Sequence, residues 1–205
     1  VRDEFPGLTF DFTAKVEHLL RHRELLPRLA YCGAVFAVTA VESLNDTVLA
    51  NLQKGHTRAG ALAALRLLRG AGIAMRPSFV PFTPWAGLDD YFELLDWIEA
   101  EELWDAVDPV QLTIRLLVPP GSLLLQSPAM QPHLGALDAA ALTYSWTHPD
   151  PRMDTLQHEA ARVAEHAAGH HEAARVTFGR LRTLAEEVRD GRVGESATAL
   201  SAAAA

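Results

Sequence analysis

The spacing of apolar and polar positions changes several times along the chain, and each change marks an element. Leu8–Ala14 alternates apolar with polar residues and predicts a strand. Over Glu17–Leu29, apolar residues at Leu19, Leu20, Leu25, Leu26 and Leu29 suit an amphipathic helix, which Pro27 is placed to split. Gly33 closes that unit. Ala34–Val41 is a nearly continuous apolar run, as in a strand covered on both faces. Asn45 and Asp46 are suited to cap a helix and Gly55 to stop it. Thr57 is suited to cap a second, which Gly70 and Gly72 end. Ile73–Val80 predicts the next strand. Leu88–Leu103 predicts a strong helix, with Asp89 and Asp90 at its positive dipole end. Val110–Val118 predicts a fourth strand, stopped by Pro119, Pro120 and Gly121.

Strand and helix thus alternate. Right-handed crossovers would place the four strands parallel and adjacent in sequence order. Four strands do not close a barrel. The expected fold class is α/β, half of a partial (βα) TIM-like barrel, followed by a helical carboxyl-terminal extension. Past Ser127 the pattern changes: Pro128–Gly135 is expected as a loop, Leu137–Trp146 as a short helix, and Pro151–Val188 as mostly helix weakened by Gly169 and Gly179. Residues 1–127 would form the half barrel and 128–190 the extension. Residues 191–205 have little to bury and are expected to be disordered.

Composition narrows the function classes. The 205 residues are 49% hydrophobic, enough for a sizeable core. The net charge of -8 speaks against nucleic acid as the main partner, because phosphate binding needs a basic face. Cys32 is the only cysteine, so no internal disulfide is possible and a cytoplasmic setting is expected. No run is long and apolar enough to suggest a membrane span.

The strand ends carry the candidate chemistry, because parallel α/β folds place their sites at the carboxyl ends of strands. Glu42, Ser43 and Asn45 follow the second strand. Ser78, Phe82, Thr83 and Trp85 follow the third. Lys15, Glu17 and His18 follow the first. Arg115 is the one charge in the fourth apolar run and needs a carboxylate or anion. His18 and His22 have the one-turn spacing of a metal pair without a further ligand, so no metal site is expected. Tyr144, Trp146, His148, Asp150, Arg152 and Asp154 read most simply as a helix cap with a salt bridge. His158, Glu165, His166, His170 and His171 read as exposed helical side chains.

The stretches AVESLNDTVLANLQKGHTRAGALAALRLLRGAGI, SFVPFTPW and QLTIRLLVPPGS together resemble the carboxyl-terminal half of the partial barrel of radical S-adenosylmethionine (radical SAM) enzymes. TYSWTHPDPRMDTLQ resembles an extension found in some members. The resemblance spans Leu8–Leu125. It implies S-adenosylmethionine as cofactor, with Glu42, Ser43, Asn45, Ser78 and Arg115 contributing to its pocket. Arg115 would then meet either Glu42 or the cofactor carboxylate. Lys15, Glu17, Thr83 and Trp85 would face the substrate. The family holds a 4Fe-4S cluster with a Cys-x-x-x-Cys-x-x-Cys loop, which this sequence lacks. The chain, which opens on Val1, is therefore expected to be a carboxyl-terminal piece of a longer enzyme, inactive alone, with the cluster in the missing part. A cut barrel would leave a strand edge open to self-association. Two other readings stay open: an independent (βα) enzyme using Glu42, Asp46 or Lys15 for acid–base work, and a noncatalytic module using its long terminal helix.

Overall fold

The computed structural model describes residue 2 and residues 4–192. Most of the tail expected at 191–205 lies outside the described residues. The chain forms two compact units. The first runs to Phe79 and takes in Asp105–Val107, and the second comprises Val80–Trp104 and the chain from Asp108 onward.

The first unit holds β1 (Phe10–Thr13), α1 (Val16–Arg21), a 3-10 turn (Arg23–Leu25), α2 (Leu26–Tyr31), β2 (Ala34–Glu42), α3 (Asp46–Asn51), α4 (Arg58–Gly70) and β3 (Ala74–Phe79). The strands form a parallel sheet in the order β1-β2-β3. This is the arrangement that the strand–helix alternation implies. Pro27 does split the first helix, and it sits in the first turn of α2, where its missing N–H costs nothing. Asn45 caps α3 by accepting from the N–H groups of Thr47 and Val48. Thr57 caps α4 through the N–H of Gly60.

Burial alternates along the sheet. Ala37, Thr39 and Val41 of β2 and Met75, Pro77 and Phe79 of β3 are buried, as are Val16, Leu19, Ala61, Ala64, Leu65 and Leu68 of the helices. The other face carries Asp11, Thr13, Phe36, Val38, Ala40, Arg76 and Ser78, all half-buried or exposed. The Arg76 guanidinium lies 4.3 Å from the centroid of the Phe36 ring. So β2 is not covered equally on both faces, as its apolar run suggests. One face is closed and the other, of mixed apolar and polar residues, is partly open.

The second unit holds α5 (Leu88–Ala100), an antiparallel hairpin of β4 (Leu134–Asp138) and β5 (Thr143–Trp146), and the long helices α6 (Pro151–Gly169) and α7 (Ala174–Arg189). Two expectations are corrected here. The fourth strand does not form over Val110–Val118. Asp108 accepts from the N–H of Val110 and Pro109 follows it, which starts a 3-10 turn over Pro109–Leu112. Beyond it, only Arg115 bridges Phe82, in parallel. The half barrel of four strands is therefore a three-stranded sheet in the described residues. The short helix expected over Leu137–Trp146 is the β4–β5 hairpin. Asp138 captures the N–H groups of Ala140 and Ala141 and turns the chain. Tyr144 N–H then donates to the Val118 carbonyl and the Trp146 indole to that of Leu116. Val118, Met130 and Trp146 are buried there, with Trp85, Leu116 and Tyr144 packed against them.

Candidate functional site

The carboxyl end of β2 has the most unusual backbone among the strand ends of the first unit. Glu42 has φ 65, a left-handed conformation that a side chain with a Cβ seldom adopts. The β2–β3 register shifts at the same place, between Ala40 and Glu42. A register break at a strand end re-aims the side chain it carries. The Glu42 side chain is 13% exposed, and its Oε1 accepts from Lys54 Nζ at 2.5 Å. Its Oε2 has no hydrogen-bond donor among the described residues. A carboxylate oxygen with no protein donor is an acceptor that a ligand can use.

The turn between α3 and α4 builds the rest of the site. Lys54 reaches Glu42. The His56 ring nitrogens lie 3.3 Å from the Val41 carbonyl and 3.4 Å from that of Lys54. Asp46 accepts from the Arg58 N–H at 2.7 Å. Gly55 has φ 72, and a Cβ there would overlap the Glu17 carboxylate. The turn is thus pinned to the end of β2 and to the start of α1.

Buried Ser43 accepts from the Asn45 N–H at 3.0 Å, which leaves its hydroxyl proton to donate elsewhere. Asn45 spends its carbonyl oxygen on the α3 cap. Ser78 lies opposite Ala40 at the end of β3, half-buried on the open face. Lys15 precedes α1 and is exposed. Glu17 lies in the first turn of α1, 3.4 Å from the His18 ring. Glu42, Ser43, Asn45 and Ser78 therefore gather at adjacent ends of β2 and β3. Lys15 and Glu17 lie at the end of β1. Lys54 and His56 belong with them; in sequence they stand in the Lys-Gly-His-Thr turn that carries part of the radical SAM resemblance, without a site role.

The remaining candidates lie in the second unit. Arg115 Nη1 donates to Asp154 at 2.7 Å and Nη2 to the Trp146 carbonyl at 2.6 Å, while its guanidinium lies 3.6 Å from the Trp146 ring centroid. Asp154 thus takes the place expected of Glu42 or a cofactor carboxylate. Its other oxygen accepts from the His148 N–H. The His148 Nδ1 lies 2.9 Å from both the N–H and the carbonyl of Asp150, and Nε2 lies 2.8 Å from the Ala86 carbonyl. Asp150 caps α6, and the hydrogen bond from Arg152 holds its carboxyl below the ordinary range. Trp146, His148, Asp150, Arg152 and Asp154 therefore form the cap and salt bridge of the simpler reading. Thr83 is fully buried and accepts weakly from the Trp85 N–H, and the Trp85 indole donates to the Ala129 carbonyl at 3.1 Å.

No family model and no curated sequence matches this chain. Solved structures do. The cobalamin-dependent S-adenosylmethionine radical enzyme OxsB, with aqua-cobalamin and S-adenosylmethionine bound, superimposes with a TM-score of 0.62 at 18% identity, over 76% of this chain. The fold is similar to part of that radical SAM enzyme. OxsB with aqua-cobalamin alone gives 0.61 at 17% identity over 74% of this chain, and its apo form gives 0.60 at 19% over 76%. In each case the chain spans 28% of the length of OxsB.

Proposed function

We propose that the chain contributes part of an S-adenosylmethionine pocket in a radical SAM enzyme, and that Glu42 is its principal ligand-binding group. The observation that carries this reading is the Oε2 of Glu42, which accepts from no described residue, at a left-handed strand end in a fold shared with such an enzyme. Ribose hydroxyls and an ammonium group are donors, and a carboxylate oxygen is the acceptor they need. The Ser43 hydroxyl and Ser78 supply further polar contacts nearby. Lys15, exposed beside the open sheet face, is assigned to a polar substrate. When bound, S-adenosylmethionine supplies a sulfonium and an adenosyl group; the chain binds and orients them.

The residues do not fit a 4Fe-4S cluster. Such a cluster with one open iron takes three thiolates, whereas Cys32 is the single cysteine. Among the described residues no three His, Cys, Asp or Glu side chains converge on one point. The cluster would belong to another part of an intact enzyme.

The test is S-adenosylmethionine binding to this chain by ligand-observed NMR, compared with Glu42→Gln. Losing a charged hydrogen bond is worth about 1.5–3 kcal/mol, so the variant is expected to bind at least about tenfold more weakly. Equal affinity in the two proteins, or no binding by the wild type, overturns the reading.

A further inference from the structure

We infer that Lys54 is a positioning residue for Glu42, and that it sets which carboxylate oxygen is offered to the ligand. The inference rests on the pocket reading given above. Three observations carry it. Lys54 Nζ takes Oε1 alone, at 2.5 Å, and leaves Oε2 without a donor. The two side chains are 30% and 13% exposed, so the pair is partly shielded from water and holds its geometry better than an open surface pair. The Lys54 backbone is fixed on both sides. Its carbonyl faces the His56 ring, its N–H donates to the Leu49 carbonyl, and Gly55 is packed against Glu17 in a conformation that favours glycine.

A carboxylate on a left-handed residue has no regular strand neighbour to orient it. Without Lys54 its two oxygens are equivalent, and rotation about the last side-chain bond spreads the acceptor over many directions. With Lys54 in place, one oxygen is held and the other points where the ligand donor must arrive. Lys54 touches no ligand in this scheme. It acts through Glu42, by lowering the ordering cost of binding.

The experiment measures S-adenosylmethionine affinity for the wild-type chain, Lys54→Met, Lys54→Gln, Lys54→Arg, Glu42→Gln and the Lys54→Met/Glu42→Gln double variant. Circular dichroism first confirms that each is folded. Lys54→Met and Lys54→Gln are expected to lose about tenfold in affinity. Lys54→Arg, which keeps a cation on Oε1, is expected to recover most of it. The double variant is expected to bind no more weakly than Glu42→Gln, because a residue acting through Glu42 has nothing left to position. A purely structural role for Lys54 would give additive losses and no rescue by arginine, and that result overturns the inference. Wild-type affinity in Lys54→Met overturns it too. These outcomes differ from failure of the pocket reading, in which the wild type itself does not bind or Glu42→Gln binds as well as the wild type.

Discussion

Single residues in this protein show their surroundings through their protons. Tyr91 is fully buried on α5 and donates to the Leu112 carbonyl at 3.1 Å. Burial disfavours the phenolate and pushes its pKa well above the ordinary value. The folded chain therefore keeps this proton at a pH where the unfolded chain releases it. The associated stability is fully present below the unfolded pKa and declines as pH rises above it. Tyr91→Phe is expected to cost about 1 kcal/mol at neutral pH through the lost hydrogen bond. Between about pH 8 and pH 11 the variant should lose less of its urea midpoint than the wild type, since unfolded tyrosine titrates near 10. An equal loss in the two proteins would assign the alkaline sensitivity to other groups.

At the level of elements, local signals succeeded where the chain folds on local terms. The three strands, the Asn45 and Thr57 caps and the break at Pro27 all follow from residues adjacent in sequence. Val110–Val118 alternates like a strand, yet Asp108 and Pro109 wind its start, and the carbonyls of Leu112 and Thr113 are taken by Tyr91 and Gln157. The hairpin was hidden by its alanines, which favour helix. Partners far along the chain, Val118 and Leu116, override that preference. The strand-end candidates were legible for the same local reason. The pairing of Lys54 with Glu42 was not, because it depends on the Lys-Gly-His-Thr turn folding back onto β2. Glycines give a direct test of such close approaches. Gly33 has φ 106 and a Cβ there would strike the Leu8 backbone carbonyl, whereas Gly121 has φ 84 with nothing nearby. Gly121→Ala is expected to cost about 1 kcal/mol from the left-handed backbone alone. Gly33→Ala should cost at least about twice that, because backbone must also move. Equal thermal shifts would refute the clash.

At the scale of the molecule, 76% of the chain is similar in fold to part of a radical SAM enzyme, its single cysteine cannot supply three thiolates, and no described helix is long and apolar enough to cross a membrane. Anaerobic reconstitution of this chain with iron and sulfide should give no cluster absorbance and no 5′-deoxyadenosine from S-adenosylmethionine. A stable cluster with cofactor cleavage would overturn the donor argument. The other consequence at this scale comes from Asp154. One of its oxygens holds Arg115 and the other holds the His148 N–H, while Arg115 also holds the Trp146 carbonyl. One carboxylate thus ties the distant segment around Arg115 to the neighbouring end of the hairpin and first turn of α6. None can open without breaking a charge-assisted hydrogen bond that the others share. Partial unravelling of the first turn of α6 is thereby suppressed, and these stretches should melt as one cooperative block, with slow amide exchange at the beginning of a helix where fraying is the rule.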